Sequence, residues 1–238
     1  MSERVAAYFG SRNLYGDMLV SAKSLLKNAK IDRVFFLIED DDYPYEIPSK
    51  IETINAGAML TQWFRENGPN WNSGWTPMGL VRVALTKVFP QYDKVLTIDC
   101  DTIVLKDISD LWDIPLDDYW FAAVKEPSLT ACTHNLYINA GVALMNLKKL
   151  REDEKDENMI GLLNNHRYTF VAQDAMNAMC QGGIYELPGD YNASRYTIPA
   201  EDPKIIHYAG CHHFEWREKP LWKDYEAMEF QDINGKPL

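Results

Sequence analysis

The sequence predicts an α/β protein: a single Rossmann-like domain in which a mixed, mostly parallel central sheet is flanked by helices. Three observations support this fold class. Apolar runs alternate with segments of helical periodicity from the N-terminus onward, which is typical of βαβ units. The length of 238 residues suits one large domain with a buried core. No internal repeat, low-complexity tract or evident domain boundary divides it.

The first third of the chain supplies strands that we expect to lie parallel. Val5 to Phe9 is an apolar run and is predicted as the first strand, while Met18 to Leu26 carries apolar residues at helical spacing. Val34 to Ile38 is predicted as the second strand, and residues 51 to 54 as a weaker third strand. The stretch from Trp63 to Pro77 places tryptophans among Asn, Gly and Pro, which indicates an ordered loop.

The middle of the chain contains the most informative strand. A helix from Met78 to Phe89 leads into Pro90 and then into the buried strand Val95 to Ile98. A short strand from Thr102 to Leu105 is predicted to follow it. The acidic residues Asp99 and Asp101 lie between these two strands, directly after the end of the Val95 strand.

The second half is predicted to contain four strands and two helices. The strands are Trp120 to Val124, Ile138 to Leu147 with a small-residue turn at Ala140-Gly141, Ile184 to Leu187 and Lys204 to His207. The helices are Glu157 to Asn165 and Gln173 to Cys180. The charged run 151–157 is predicted to be an exposed face or loop, and the tail from Lys223 onward is polar.

Composition narrows the class of partner. With 24 Lys and Arg against 35 Asp and Glu, the net charge of -11 argues against nucleic acid as a partner. No apolar run approaches the roughly 20 residues that a membrane span needs, and no signal-peptide pattern is seen. The four cysteines have no paired spacing, which favours reduced thiols. We therefore expect a cytoplasmic protein, peripheral to a membrane only through what it acts on.

Two carboxylates at the end of the Val95 strand suggest a metal centre. Asp99 and Asp101 are spaced i, i+2, so period-two alternation sends both side chains to one side, at the carboxyl end of a strand, where open α/β sheets hold ligands. Hard oxygen donors there suit a divalent cation that carries phosphates. A solvated acidic turn is the alternative. His207 also ends an apolar strand; a structural histidine is the alternative, but the three residues together are compatible with Mn²⁺ or Mg²⁺.

The order of motifs along the chain resembles that of the retaining glycosyltransferases of family 8, the glycogenin and galactosyltransferase group with the GT-A fold. The motifs, in order, are Asp-x-Asp at 99–101, Asn-Ala-Gly at 139–141, Gln-Asp-x-x-Asn at 173–177, His-x-x-Gly at 207–210 and Lys-Pro at 219–220. The resemblance implies a single glycosyltransferase domain over 1–238. Its nucleotide-binding part would span about 1–105, and its donor-sugar and acceptor part about 106–238.

By this resemblance, Asp99, Asp101 and His207 would hold Mn²⁺ on the diphosphate of a UDP-sugar, and Lys219 would contact the same phosphates. Gly210 belongs to the same C-terminal motif. The uridine would lie against the first strand and its loop, where the candidates are Phe9, Arg12, Asn13 and Tyr15. Tyr15 would offer a ring face to the uracil, whereas we favour a core position for Phe9 and keep a solvated Arg12 as the alternative.

The resemblance also implies residues on the sugar side. Arg82 would reach the donor phosphate or sugar, the alternative being a surface arginine on a helix. Asn139 would approach the donor sugar, and Ala140 leaves room for a backbone that comes close to the ligand. Gln173 would lie beside the anomeric carbon and Asp174 would bind hydroxyls, unless Asp174 only complements a helix dipole.

Two departures from the family pattern bear on activity. The family commonly has an acid where this chain has Ala172, which removes one polar contact to donor or acceptor. The C-terminal motif is also longer here, and the added residues 211–216 are expected to lengthen the loop over UDP. Cys211, His212 and His213 suggest zinc only weakly, because consecutive residues rarely converge on one ion and no second pair has zinc-finger spacing.

The resulting expectation is a Mn-dependent retaining transferase that moves a hexose from UDP-glucose or UDP-galactose to a carbohydrate-type acceptor. Glycan, lipid and protein acceptors all remain open. The alternatives are a non-catalytic binder of UDP-sugars, motivated by Ala172, and a sugar-phosphate nucleotidyltransferase. A nucleotidyltransferase would need a basic glycine-rich loop after the first strand, and residues 10–13 match such a loop poorly because they contain one glycine and one basic residue.

Overall fold

The computed structural model describes residues 3–73, 75–210 and 212–238, and centres on a seven-stranded sheet of order β3-β2-β1-β4-β7-β6-β8. A separate two-stranded sheet pairs β5 with β9. The strands are β1 (Val5–Phe9), β2 (Arg33–Ile38), β3 (Ile51–Asn55), β4 (Lys94–Ile98), β5 (Thr102–Val104), β6 (Phe121–Lys125), β7 (Ile138–Asn146), β8 (Ile184–Leu187) and β9 (Ile205–His207).

Helices flank the sheet. The α-helices are α1 (Tyr15–Asn28), α2 (Gly57–Leu60), α3 (Leu85–Val88), α4 (Pro127–Thr133), α5 (Leu147–Glu152), α6 (Lys155–Asn165), α7 (Ala172–Met179) and α8 (Pro220–Ala227). The 3-10 helices span Arg12–Leu14, Pro77–Ala84, Ser109–Asp113, Gly189–Asn192 and His212–Glu218.

The pairing confirms the predicted fold class. Strand β1 lies parallel to β2 and β4, β2 is parallel to β3, and β6 is parallel to β8. Strand β7 is antiparallel to both of its neighbours, β4 and β6, which makes the sheet mixed. The two-stranded sheet of β5 and β9 then begins just beyond the end of β4, and this arrangement is what builds the functional site.

Apolar residues of the central strands feed cores on both faces of the sheet. In β1, Val5, Ala7 and Phe9 pack in one core, while Ala6 and Tyr8 pack in the other. This division follows from the period of two in a strand, and burial on both faces explains why the predicted strands read as continuous apolar runs. All nine residues of β7 are buried.

The predicted helix from Met78 to Phe89 is wrong in type: residues Pro77–Ala84 form a 3-10 helix, and only Leu85–Val88 are α-helical. Helical spacing of apolar residues does not separate these forms over so short a segment. The predicted turn at Ala140-Gly141 is also wrong. Both residues lie within β7, where the pairing with β6 shifts between Ala123 and Val124, so the small residues mark a bulge.

One prediction about a charged segment is corrected. The run 151–157 is not wholly exposed, because Asp156 is 2% exposed and accepts a hydrogen bond from Thr86 while pairing with Lys87. Partners distant in sequence thus satisfy this side chain.

The tail from Lys223 onward begins within α8, which covers residues 220–227, and its residues are exposed or half-buried. The buried residue of this helix is Trp222, directly before the tail.

Candidate metal centre and active site

The register of two strands brings the predicted metal ligands together. Strand β4 ends at Ile98, Asp99 donates its backbone N–H to the Gly141 carbonyl at 2.7 Å, and β5 begins at Thr102. In the β5–β9 pair, Thr102 lies opposite His207. The chain between the two strands therefore holds both aspartates beside the end of β9.

The three side chains form one compact cluster. Nε2 of His207 lies 3.2 Å from Oδ1 of Asp101 and 3.7 Å from Oδ2 of Asp99. One ligand atom from each residue can be chosen so that all lie within 4.8 Å of one another. The imidazole is buried, whereas the Asp99 and Asp101 side chains are 33% and 20% exposed. The cluster therefore fits a divalent cation that is held from one side and accessible from the other.

The charges in this cluster stabilise one another. Burial acts to raise the pKa of Asp99, but the Arg82 guanidinium and His207 outweigh it and hold that pKa below its usual value. Burial acts to lower the pKa of His207, but the carboxylates of Asp101 and Asp99 outweigh it and raise that pKa. The Asp99 carboxylate is therefore held in its ionised form, which is the form that binds a metal, and a cation bound at Nε2 of His207 would displace any proton from that atom.

Arg82 lies beneath the cluster and is only 6% exposed, so the alternative of a surface arginine is wrong. Its guanidinium pairs with Asp99, and the guanidinium carbon lies 4.6 Å from the centre of the Phe9 ring. Phe9 is buried, in agreement with the core position favoured for it. Nε of Arg82 is buried without a hydrogen-bond partner among the described residues.

A second group of polar residues lies where β7 meets α7. Oε1 of Gln173 accepts the backbone N–H of Ala140 at 2.9 Å, which places the amide beside the Asn139-Ala140 segment. Nε2 of Gln173 lies 3.3 Å from the Tyr137 hydroxyl and 3.4 Å from Oε2 of Glu126. The structure thus brings Gln173 next to Ala140 and places Gln173 and Asn139 on the same Glu126 carboxyl.

Glu126 is a buried member of this group that sequence reasoning missed. It follows β6, is 6% exposed and accepts a hydrogen bond from Nδ2 of Asn139 at 3.2 Å. Burial raises the pKa of Glu126, although the bonds from Asn139 and Gln173 act in the opposite direction. An acid that directly ends an apolar strand, as Asp99 does, was the available signal.

Asp174 has local partners for both carboxylate oxygens. It accepts hydrogen bonds from the Tyr137 hydroxyl and, at 2.8 Å, from the backbone N–H of Phe170. This geometry agrees with the alternative in which Asp174 supports the start of α7. The residue also lines a surface cavity of about 450 Å³ together with Tyr137, Tyr168 and Arg167.

The predicted uridine residues divide into a buried and an exposed set. The Tyr15 ring is fully buried, packs against Tyr43 with ring centres 5.3 Å apart, and has no open face for a uracil, which corrects that expectation. Its hydroxyl instead accepts the backbone N–H of Glu39 at 3.0 Å. The position of Tyr15 as the first residue of α1 places it in the core beneath the loop.

Arg12 and Asn13 lie in the short 3-10 helix after β1. The Arg12 side chain is 53% exposed and pairs with Asp40 at 2.8 Å and Asp42 at 2.9 Å. The backbone carbonyl of Asn13 accepts a hydrogen bond from Arg217 at 2.8 Å. This bond fastens the C-terminal segment to the loop that follows β1.

The remaining predicted ligands lie in the C-terminal segment. Gly210 has a φ of 68°, which favours glycine, and its carbonyl accepts a hydrogen bond from Arg195. Lys219 immediately precedes α8 and is exposed. The expectations for Cys211 and for the side chains of His212 and His213 fall outside the described residues. The other three cysteines are free, in agreement with the prediction of reduced thiols.

Solved structures identify the fold. The galactosyltransferase LgtC, solved with donor and acceptor sugar analogues, matches with a TM-score of 0.71 at 20% identity, over 93% of this chain and 95% of that one. The glycosyltransferase GlyE of Streptococcus pneumoniae matches with a TM-score of 0.71 at 20% identity, over 97% of this chain and 62% of that one. The fold is therefore the GT-A fold of glycosyltransferases.

Comparison of the amino-acid sequence with a family model identifies the family of the chain. The model described as glycosyl transferase family 8 matches residues 7–220, so the chain belongs to glycosyl transferase family 8. Glycosyltransferase GlyA of Streptococcus pneumoniae is 30% identical over 98% of this chain and 34% of its own length. General stress protein A of Bacillus subtilis is 28% identical over 58% of this chain and 56% of its own length.

The chain is thus similar to about a third to a half of the length of these curated relatives. Across the described residues, no helix combines the length and the apolar character needed to cross a membrane. Family membership supports a role in glycosyl transfer.

Proposed function

We propose that the protein transfers a hexose from a UDP-sugar, with retention at the anomeric carbon and with the help of Mn²⁺ or Mg²⁺. The observation that carries this proposal is the cluster of Asp99, Asp101 and His207 at the carboxyl end of β4, with a buried arginine beneath it. The part of the chain over about 1–105 would bind the nucleotide. The part over about 106–238 would receive the donor sugar and the acceptor.

Positive charges at the cluster are proposed to bind the negatively charged diphosphate of the donor. Breaking a sugar–diphosphate bond leaves negative charge on the departing UDP, and a divalent cation bound to the cluster supplies charge to offset it. Arg82 adds a second cationic group whose Nε is free of partners among the described residues. Lys219 is exposed at the start of α8 and is proposed to reach the same phosphates.

The group at β7 and α7 is proposed to hold the donor sugar. Gln173 and Asn139 present amide groups, and Ala140 keeps the strand backbone accessible to a ligand. Because the Gln173 amide is fixed by the Ala140 N–H, its position relative to β7 is set before any ligand binds. Preorganised polar groups of this kind lower the cost of reaching a transition state.

Exposed aromatic side chains support a carbohydrate acceptor. Trp75 is 56% exposed and donates its indole N–H to the Thr169 carbonyl at 2.9 Å, while the next residue, Phe170, is 38% exposed. The backbone N–H of Phe170 bonds Asp174, which connects this surface to α7. Trp63 and Trp71, in contrast, pack against the core. The apolar faces of sugar rings stack on such aromatic surfaces, so Trp75 and Phe170 are proposed to contact the acceptor.

The direct test is thermal-shift screening of UDP-sugars with and without Mn²⁺, because a ligand that binds the folded state raises its apparent stability. We expect a stabilisation by a UDP-hexose that requires Mn²⁺ and that is lost in Asp101→Ala. Asp117→Ala, at an exposed aspartate outside the cluster, is the matched control and should behave as wild type. Equal Mn²⁺-assisted stabilisation of wild type and Asp101→Ala would refute the metal assignment.

Ala172 supports one second candidate, a protein that binds UDP-sugars without transferring them. Ala172 is the first residue of α7, directly before Gln173, and its methyl group brings no polar contact to this position. Release of UDP that depends on an added glycan acceptor would exclude this candidate. Tight binding without release across an acceptor screen would favour it. Formation of UDP-sugar from UTP and a sugar phosphate would instead identify a nucleotidyltransferase.

A further inference from the structure

A line of buried polar side chains joins the metal centre to the sugar-side residues. It runs from Glu126 through Asn139 and Asn192 to His207, and none of the four is more than 7% exposed. Buried polar groups cost stability unless they are hydrogen-bonded, and these four satisfy one another. Asn192 is fully buried and belongs to none of the motifs that the sequence indicated.

The hydrogen bonds have only one consistent direction. A backbone N–H can only donate, so the atom of Asn139 that faces the Gly141 N–H at 3.0 Å is its carbonyl oxygen. The same oxygen accepts from Nδ2 of Asn192 at 2.9 Å. Nδ2 of Asn139 is thereby turned towards the Glu126 carboxyl, at 3.2 Å. Each amide in the line is oriented by its neighbour.

This direction determines which nitrogen of His207 carries a hydrogen. Since Nδ2 of Asn192 faces Asn139, its Oδ1 faces Nδ1 of His207, at 2.8 Å. An amide oxygen only accepts, so Nδ1 must donate. Nε2 is then the nitrogen directed at Asp101, with its lone pair available to a cation whenever it carries no proton.

Two further contacts hold the ring in place. The backbone N–H of His207 bonds the carbonyl of Ala193, the residue after Asn192, at 3.0 Å, so β9 is bonded directly to the segment that carries Asn192. On its other side the ring lies against Gly141, where a Cβ atom would overlap Cε1. The strand bond and the contact with Gly141 thus limit where the imidazole of His207 can lie, and the Asn192 amide then bonds its Nδ1.

We propose that Asn192 is a positioning residue for the metal centre, which keeps His207 in the form with hydrogen on Nδ1 and Nε2 facing the cation. This inference rests on the proposed metal-assisted function and deepens it. Because Glu126 also lies 3.4 Å from Nε2 of Gln173, the same line connects the group that orients His207 with the amide on the sugar side. Metal binding and donor-sugar binding then share one hydrogen-bonded unit.

The first experiment measures Mn²⁺ affinity by calorimetry in the absence of any nucleotide. Asn192→Ala removes the acceptor for Nδ1–H and is expected to weaken Mn²⁺ binding by about 10- to 100-fold, the usual effect of losing a partner of a metal-binding histidine. Asn192→Asp keeps an acceptor and should bind Mn²⁺ more tightly than Asn192→Ala. A folded Asn192→Ala that binds Mn²⁺ as tightly as wild type would overturn the proposal.

Asn146→Ala is the matched control. Asn146, the last residue of β7, is also a buried asparagine, but its side-chain amide bonds the carbonyls of Leu116 and Tyr119 and caps α5, away from Gly141. Its replacement should lower stability and leave Mn²⁺ affinity unchanged. Equal losses of Mn²⁺ affinity in Asn146→Ala and Asn192→Ala would indicate a general structural effect and would also overturn the proposal.

The second experiment needs neither a variant of Asn192 nor bound metal. In ¹⁵N spectra of the histidine side chains, with the signals of His207 assigned by their loss in His207→Gln, Nδ1 should stay protonated at every pH where the fold is intact. An unprotonated Nδ1 would refute the role of Asn192. If wild type binds neither Mn²⁺ nor UDP, the proposed function fails, and the state of Nδ1 still decides whether Asn192 sets the form of the ring.

Discussion

At the scale of single residues, Gly141 shows how a missing side chain shapes the metal centre. It lies in β7, its carbonyl accepts the N–H of Asp99, and its own N–H bonds the Asn139 side chain. A Cβ atom here would overlap Cε1 of His207 and lie 2.7 Å from its Nδ1. The imidazole can approach the strand only because the residue is glycine.

We therefore expect Gly141→Ala to displace the His207 ring and to weaken Mn²⁺ binding by about tenfold or more, with the fold retained. Gly161→Ala is the control, because a Cβ at this position in α6 meets no atom within 4 Å. That change should raise stability by up to about 1 kcal/mol through helix propensity and leave Mn²⁺ affinity unchanged. Calorimetry and urea denaturation measure both effects. Wild-type Mn²⁺ affinity in Gly141→Ala would contradict the prediction.

Glu126 allows a prediction about pH. Burial raises the pKa of Glu126 above its ordinary value of 4.5, so the folded state holds this proton more tightly than the unfolded state does. Ionising Glu126 in the folded protein therefore lowers the free energy of unfolding. This loss is complete at a pH above the raised pKa of the folded state, and it is absent at a pH below the pKa of the unfolded state. Glu126→Gln removes this cost and keeps an acceptor for Asn139. We expect its melting temperature at pH 7 to equal or exceed that of wild type.

The difference between Glu126→Gln and wild type should shrink as the pH falls through the raised pKa of Glu126, because wild type is then protonated as well. Thermal melts across this range measure it. Glu186→Gln, at an exposed position in β8, should show no such trend. A melting temperature for Glu126→Gln that lies well below that of wild type at pH 7 would contradict the argument.

At the scale of elements, α8 is fastened to α1 by a small apolar cluster and by polar bonds. Trp222 is fully buried with Ile103, Val20 and Trp216. Nδ2 of Asn28, the last residue of α1, donates to the Tyr225 hydroxyl at 2.8 Å. The cluster lies outside the two cores of the main sheet, so it attaches the C-terminal segment that follows His207.

We expect Trp222→Ala to lower the free energy of unfolding by about 3–5 kcal/mol, because it leaves a large cavity in this cluster. Trp222→Phe should cost clearly less, since the indole N–H of Trp222 has no hydrogen-bond partner among the described residues and its loss breaks no bond there. Lys223→Ala, at the exposed neighbouring position, is the control. Urea denaturation measures the free energy of unfolding of each variant. Equal losses in Trp222→Ala and Trp222→Phe would contradict the packing argument.

The elements that the sequence predicted well are those whose residues carry their own signal. Strands β1, β2 and β4 are apolar runs between polar segments, and their bounds follow from that contrast. The helix expected over 78–89 failed because the 3-10 helix Pro77–Ala84 has a similar apolar spacing. The small residues Ala140 and Gly141 suit a turn and a bulge equally, and only the pairing of β7 with β6 separates the two.

At the scale of the whole molecule, the reactivity of the cysteines tests which of them the fold buries. Cys100 and Cys180 are buried, while Cys132 is exposed in α4. Burial raises the pKa of Cys100 and raises that of Cys180 to about 12, so both thiols are protonated and inaccessible. Iodoacetamide should therefore modify Cys132 in the native protein, and Cys100 and Cys180 only after unfolding. Peptide mass spectrometry measures this, and rapid native labelling of Cys100 would contradict the fold.

The site was predictable only where its residues end strands. Asp99 and Asp101 follow the apolar strand β4, and His207 ends the apolar strand β9, so each position carries a local signal. The antiparallel pairing of β9 with β5, which brings His207 to the two aspartates, is not visible in the sequence. The burial of Arg82 and the bonds of Asn192 depend on contacts between segments far apart in sequence, so no local pattern carries them. Tyr15 was misplaced for the same reason, because its aromatic ring suits a ligand face and a core equally.

Under the proposed function, the two partly exposed carboxylates of the metal cluster favour one order of addition. Without a bound cation, Asp99 and Asp101 would repel an incoming diphosphate, and the net charge of -11 on the chain adds to this repulsion. Arg82 pairs with Asp99, and His207, whose pKa the aspartates raise, pairs with both of them, so neither cationic group is left unpaired for the diphosphate. Productive encounters should therefore begin with the cation, or with a nucleotide that arrives already complexed to one.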